Sequence, residues 1–338
     1  MTHDDFTDDL LEAAEREIEG RRRDLDRAYR ELSDGYRGGG ATPDGEALTR
    51  DHVLAYLAAR LPATYAVSEE VLGAVAAARP GWEPRTVLDL GAGPGTAAWA
   101  AAAAFPSLTG AVLVERSPAM IQVGRDLAAR SASAALRSGT WRRGGVTGTD
   151  LPDADLVVAS YVLGELSPER ADEAVDRWWR AATGELVIIE PGTPAGFARI
   201  LRARSRLLAA GATVTAPCPA DTACPMAADD WCHFGRRIAR TPLHRRVKNA
   251  TLGFEDEKYS YMAASRQPPA HCGPRVLRTP QVRSGHIRLT VCTAPERREI
   301  VVARSRRDAF RWARRARWGD AMPSHIAALF DTSATATG

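Results

Sequence analysis

The chain has 338 residues, 45% of them apolar, enough to bury the core of two domains or of one enlarged α/β domain. No run of about 20 apolar residues occurs, so no membrane-spanning helix is expected. The acidic opening "MTHDDFTDDLLEAAERE" has neither the apolar centre of a secretory signal nor the arginine-rich, acid-poor character of a mitochondrial transit peptide, and a cytoplasmic bacterial protein is the expectation. The net charge of +3 conceals an asymmetry: residues 1–80 carry 10 Arg against 17 Asp and Glu, whereas residues 236–318 carry 21 Lys and Arg against 6 Asp and Glu. Only Lys248 and Lys258 are lysines. An arginine-rich segment of this kind predicts contact with a polyanion, nucleic acid first; a solvated basic face is the plain alternative.

Residues 7–33 place Leu10, Leu11, Ala14, Ile18, Leu25, Tyr29 and Leu32 at helical spacing on a charged background, and "DGYRGGGATPDG" breaks that helix. Two further helices are predicted at 49–60 and 67–78, joined across "RLPATYA". The pattern changes at Arg85. "RTVLDL" reads as a strand, "TAAWAAAAAF" as a helix, "TGAVLVERS" as a strand and "PAMIQVGRDLAARS" as a helix. After a weaker strand near 134–142 come the strand "DADLVVASYVLGEL", the helix "SPERADEAVDRWWRAA" and the strand "GELVIIEPGTP". Strands alternating with helices at these lengths predict a mostly parallel, doubly wound sheet. Beyond the helix "GFARILRARSRLLAAG", strands predicted at 258–264, 275–280, 286–293 and 298–304 suggest an antiparallel β-rich appendage. "RRDAFRWARRARWGD" reads as a helix or an arm.

The most informative turn is "VLDLGAGPGT", with Asp89 followed by Gly91, Gly93 and Gly95 between a strand and a helix. Glycines there permit positive φ and close approach of backbone to a ligand, and the helix start is an electropositive end. Nicotinamide, flavin and S-adenosylmethionine (SAM) sites all use such triplets. Two details favour SAM. Thr96 stands where a dinucleotide fingerprint needs Gly or Ala, and Asp89 suits a ligand with a cationic amino group and no pyrophosphate. Glu115, ending the second strand, is placed to accept from ribose hydroxyls. No Asn/Asp-Pro-Pro-aromatic motif follows the third clear strand. "SYVLGEL" stands there, with Ser160, Tyr161 and Glu165 as polar candidates that capping or packing explains equally, so no catalytic base is assigned.

Three of the five cysteines, Cys218, Cys224 and Cys232, fall in one proline-bearing stretch, and Cys292 lies on a distant predicted strand. The spacing lacks a C-x2-C knuckle, which weakens a zinc ribbon. Prolines 217, 219 and 225 favour a non-helical loop that can turn thiols inward. A metal or cluster site, a reactive thiol and chance all remain open from spacing, with His233 and His271 as alternative ligands and Cys272 as a surplus thiol.

"YLAARLPATYAV", "VLDLGAGPGTAAWA", "SYVLGEL", "VIIEPGTP", the run from Cys218 to Cys232, "FEDEKYSYMAASR", "RLTVC" and "ARWGD" occur in an order that resembles the methyltransferase-like small-ribosomal-subunit assembly factors, over roughly residues 50–320. The resemblance implies a SAM-methyltransferase-like Rossmann sheet and association with the small ribosomal subunit and its rRNA. It also implies a 4Fe–4S cluster on Cys218, Cys224, Cys232 and Cys292. The expected organisation is an N-terminal helical segment (1–80), a SAM-binding Rossmann-like domain (81–210), an iron–sulfur-binding basic β-rich region (211–322) and a disordered tail (323–338), with a monomer slightly favoured. Three functions follow: a SAM-dependent methyltransferase acting on the ribosome, a non-catalytic assembly factor that keeps SAM, and a zinc-stapled RNA-binding protein.

Overall fold

The computed structural model describes residues 3–19, 25, 27–31, 47–148, 150–269, 273–293 and 296–330. Helix α1 (His3–Ile18) is amphipathic and buries Leu10, Ala13, Ala14 and Ile18. Residues 27–31 are also helical; the remainder of the helix predicted to residue 33 lies outside the described residues. Helix α2 (Arg50–Ala59) opens on a reciprocal cap, Thr49 accepting from the His52 N–H while His52 Nδ1 accepts from the Thr49 N–H at 3.1 Å. Helix α3 (Leu61–Ala78) begins at once, earlier than predicted, because Pro62 falls in the first turn, where its missing N–H costs nothing. Glu17 binds Arg50 and Arg130, tying α1 to α2.

The main sheet grows from alternating strands and helices: β1 (Thr86–Leu90), α4 (Thr96–Ala104), β2 (Gly110–Glu115), α5 (Pro118–Ala128), α6 (Ala134–Arg137), β3 (Thr140–Arg143), β4 (Ala154–Ser160), α7 (Pro168–Ala181), β5 (Ala182–Pro191) and α8 (Pro194–Ala209). The weak strand near 134–142 is therefore a helical turn followed by β3. After β6 (Thr213–Ala216), β7 (Phe234–Ala239) and α9 (Pro242–Val247), β8 (Phe254–Ser265) runs back along β5. The order is β3-β2-β1-β4-β5-β8-β6, parallel through β5, with β8 antiparallel to β5, β6 and β7. This is a doubly wound, Rossmann-like sheet with an antiparallel strand added beside the last parallel one.

Strand β8 corrects the sequence reading. The strand expected at 258–264 in the appendage lies inside the main sheet, so the boundary at 210/211 does not separate two sheets. Its sequence, "YSYMAAS", is buried throughout, as a strand covered on both faces must be. Alternate residues of the central strands feed two cores. Val87, Leu156, Val158, Val187 and Ile189 face helices α1 to α4. Leu88, Val157, Leu186 and Ile188 face α7 and α8.

A second, antiparallel sheet of β9 (Arg275–Val276), β10 (Gln281–Val282), β11 (His286–Thr293) and β12 (Glu296–Ala303) has the order β10-β11-β12, with β9 on β11. Only 275–276 of the strand predicted at 275–280 pairs. Ile287, Leu289, Val291, Ile300 and Val302 bury one face against Ala309 and Ala313 of α10 (Arg307–Ala313) and Ile326 of α11 (Ser324–Ala327). Residues 324–330, expected in the tail, are helical, with Ile326 entering the core; residues 331–338 lie outside the described residues. Among the described residues, no helix is long and apolar enough to cross a membrane.

Leu10 is fully buried beneath α1. Leu10→Ala is expected to cost about 2–4 kcal/mol, read as a lower denaturation midpoint; an unchanged midpoint would mean that the acidic helix does not dock.

Candidate functional site

The loop between β1 and α4 carries Gly91, Gly93 and Gly95, all at positive φ. Gly91 must be glycine twice over, since its φ is +66° and a Cβ would meet Val162 Cγ2 at 2.5 Å. Gly93, at +54°, has open space where a Cβ would stand, which leaves its backbone bare to a ligand. Gly95 caps α4 but has no side chain to do so, and Asp89 supplies the missing acceptor. Its Oδ2 takes the Ala98 N–H at 3.0 Å, one of the donors a helix start leaves unpaired. Asp89 is 1% exposed, and burial pushes its carboxyl up to about 7, against the bond from Ala98. Glu115 closes the loop: Oε2 accepts from Gly93 N at 2.9 Å and Oε1 from Ser117 N at 2.8 Å. The five residues expected to hold SAM are thus gathered at the C-terminal edge of β1 and β2, and Thr96 Oγ1 is buried there without a hydrogen-bond partner.

Tyr161 follows β4 with φ +62°, a strained value for a bulky side chain. Its N–H binds Ile189 O at 2.7 Å, and its buried hydroxyl has no partner. Burial, then Glu257, holds this phenol well above its ordinary pKa, opposed by Arg60. Arg60, at the α2–α3 junction, pairs with Glu257 of β8 at 3.3 Å. Tyr56 of α2 lies within the field of Asp89 and Glu115. The N-terminal helices therefore reach the glycine loop, and Tyr56 and Arg60 were not legible as candidate site residues, being ordinary members of a helical pattern. Glu165 is half-exposed and pairs with Arg116 at 3.3 Å, while Ser160 ends β4.

Strands β6 and β7 share one edge of β8, and the loop joining them, residues 217–233, carries Cys218, Cys224 and Cys232. These three and Cys292 of β11 line a single cavity between the two sheets. Burial pushes the thiols of Cys218 and Cys232 up and that of Cys292 to about 12. A nucleophilic cysteine needs the opposite shift, which Cys218, Cys232 and Cys292 do not have. Among the described residues, no group of three or more His, Cys, Asp or Glu side chains has the arrangement of a metal-ion site. His233 stays out of the cavity, stacked on Trp231 and edge-on to Trp318; His271 and Cys272 lie outside the described residues.

The loop is held by named bonds. Trp231 Nε1–H donates to Gly192 O at 3.0 Å and Ser260 Oγ–H to Cys232 O at 2.8 Å. Asp230 joins Arg278 (2.6 Å) and Arg297 (2.8 Å) of the second sheet. Two buried arginines flank the thiols. Arg204 donates to Ala220 O and Thr222 O, and Arg275 to Pro217 O and Gly319 O. The sequence held a signal for Arg204: Ile200, Ala203, Arg204 and Leu207 form one buried stripe of α8, and a charge in such a stripe needs a partner.

A family profile described as "Mitochondrial small ribosomal subunit Rsm22" matches residues 50–323. The chain belongs to the Rsm22 family. "Ribosome assembly protein METTL17, mitochondrial" of Homo sapiens is 29% identical over 299 residues, which cover 83% of this chain and 64% of that one. "Rsm22-cox11 tandem protein 2, mitochondrial" of Schizosaccharomyces pombe is 28% identical, over 82% and 44%. This member of the Rsm22 family thus spans less than two thirds of the length of these curated relatives. Among solved structures, magnesium protoporphyrin IX methyltransferase from Synechocystis PCC 6803 with bound SAH aligns with a TM-score of 0.40 and 13% identity, over 61% of this chain and 84% of that one.

Asp89 yields a pH dependence. Its folded carboxyl, at about 7 against an ordinary value of 3.8, binds a proton more tightly than the unfolded chain does. Stability from this group is therefore complete below about pH 4 and is lost as pH rises through 7. Asp89→Asn cannot ionise and still offers an oxygen to Ala98. It is expected to be more stable than the parent at pH 8, by up to about 4 kcal/mol, with the gap closing toward pH 4 in paired denaturation curves.

Proposed function

We propose that this Rsm22-family protein is a methyltransferase-like factor of small ribosomal subunit assembly that binds SAM, a 4Fe–4S cluster and ribosomal RNA. The observation that carries the reading is that the family match runs through the glycine loop and all four cysteines. The residues present fit both groups. The bare backbone at Gly93 and the carboxylates of Asp89 and Glu115 suit a cationic nucleoside. Four thiols around one cavity suit a cluster, whose sulfur ligands stand farther apart than the roughly 3.8 Å that follows from tetrahedral zinc with Zn–S bonds of about 2.3 Å. When bound, SAM would supply an electrophilic methyl group and the cluster a rigid four-point link between the sheets.

The surface for RNA is the far end of the second sheet. Arg283, Arg288 and Arg304 are exposed there, and Arg307, Arg314 and Arg315 continue along α10 and the turn after it. None of these six has an ion-pair partner among the described residues. Arginine binds phosphates through a planar fork, and such contacts set affinity and its salt dependence.

A second reading, in which SAM is bound but no methyl is transferred, is favoured by Tyr161. Its buried hydroxyl, just past the end of β4, has no hydrogen-bond partner to take its proton. Incubation of 30S precursors with labelled SAM separates the two. Incorporation that Asp89→Ala abolishes establishes transfer; no incorporation with 30S binding intact establishes the second reading. Anaerobic purification tests the cluster, with a brown protein containing iron and sulfide expected and a colourless, zinc-loaded one overturning it.

Replacing Arg307, Arg314 and Arg315 together by Ala is expected to weaken binding to small-subunit rRNA at least tenfold. The slope of log affinity against log salt should shrink by about 0.7–0.9 for each phosphate that the variant no longer neutralises. An unchanged slope would place the RNA elsewhere.

A further inference from the structure

We infer that Arg204 and Arg275 are the counter-charges of the cysteine-held group, an assignment that rests on the cluster reading above. Arg204 is 5% exposed and Arg275 6%. Neither has a carboxylate partner among the described residues, although the chain elsewhere pairs the partly buried Arg79 with the buried Glu185 at 2.8 Å. A buried cation with only neutral acceptors is costly unless an anion joins it.

The geometry identifies where that anion sits. Arg204 spends one terminal nitrogen on Ala220 O (2.9 Å) and Thr222 O (2.8 Å), within the loop that separates Cys218 from Cys224. Its Nε is buried with no hydrogen-bond partner. Arg275 approaches from the second sheet, with Nε on Pro217 O at 2.9 Å and Nη1 on Gly319 O at 3.0 Å. Both side chains line the same cavity as the four cysteines. Four thiolates around a doubly positive iron–sulfur core carry two net negative charges, which two guanidiniums neutralise. The free Nε–H of Arg204 has a sulfur as its acceptor in that state, and hydrogen bonds to sulfur are among the levers that set cluster potential.

The two arginines are thus positioning residues with a charge role. Loss of one cation removes stabilisation of the anionic group, most strongly of its reduced form. The test uses the full chain, prepared without oxygen. Iron and sulfide content, the rate of iron loss in air and the midpoint potential followed by electron paramagnetic resonance are measured for the wild type, Arg204→Gln, Arg204→Lys and Arg275→Gln. Gln keeps an N–H donor without the charge; Lys keeps the charge without the fork. The glutamine variants are expected to lose iron several-fold faster and to titrate at a more negative potential, with Arg204→Lys near the wild type. Circular dichroism establishes that each variant is folded, and Arg275→Gln gives the same reading from the other sheet if Arg204→Gln is not.

Iron-bearing wild type with glutamine variants identical to it in rate and potential overturns the counter-charge assignment alone. So does an Arg204→Lys variant as impaired as Arg204→Gln, which would reduce the residue to a loop fastener. A wild type without iron and sulfide overturns the cluster reading itself.

Discussion

Arg275 lies between three segments that are remote in sequence. Its Nε donates to Pro217 O at the start of the cysteine loop, its Nη1 donates to Gly319 O after α10, and its backbone bridges Ala321. Buried carbonyls need donors, and here one guanidinium serves two of them at once. The second sheet is thereby fixed against the edge of β8, which is what lets a cysteine on β11 stand opposite three on the loop between β6 and β7. Asp230, shared by Arg278 and Arg297, repeats the fastening with charge. The pieces "VIIEPGTP", "EKYSYM" and "ARWGD" are spatial neighbours for the same reason: Gly192 N–H donates to Lys258 O, Trp231 reaches Gly192 O, and Trp318 packs on His233.

Much of this was legible in the chain. The alternation from Arg85 to Ala209 follows from side-chain periodicity, which placed the strands and helices of the parallel half within a few residues. The glycine loop was legible because its chemistry is local: Asp89, Gly91, Gly93, Gly95 and Glu115 are brought together by one turn and one neighbouring strand. The assignment of β8 to an appendage failed because pairing partners are not encoded in periodicity. "YSYMAAS" reads equally as a strand of a small sheet or of a large one. Strands β6 and β7 escaped notice because each is short and flanks proline-rich loop. The convergence of Cys292 with the other thiols could be expected only from family resemblance, since 60 residues of chain separate it from Cys232 and spacing at that distance carries no geometry.

The acidic N-terminus lies outside the family match, which begins at residue 50, yet it is part of the core. Helix α4, "TAAWAAAAA", is buried over most of its length and has alanine on nearly every side, so neighbouring helices must cover it. Helix α3 does so on one flank and α1 on another. Small side chains permit close helix approach, and a second layer on top is the natural way to shield so narrow an apolar rod. The charge on α1 is then the outer surface of that layer, and Glu17 is its internal fastening to Arg50 and Arg130.

Strand β11 has Cys292 near one end and His286 at the other, beside the turn that presents Arg283 and Arg304. At about 3.3 Å per residue, some 20 Å of stiff ribbon separate the two ends. A pivot of about 10° at the sulfur end swings the arginine tip by roughly 3.5 Å over that ribbon length, more than the reach of a hydrogen bond. Whatever fixes the position of Cys292 therefore also fixes, at the far end of the same rod, where the guanidiniums of Arg283 and Arg304 stand.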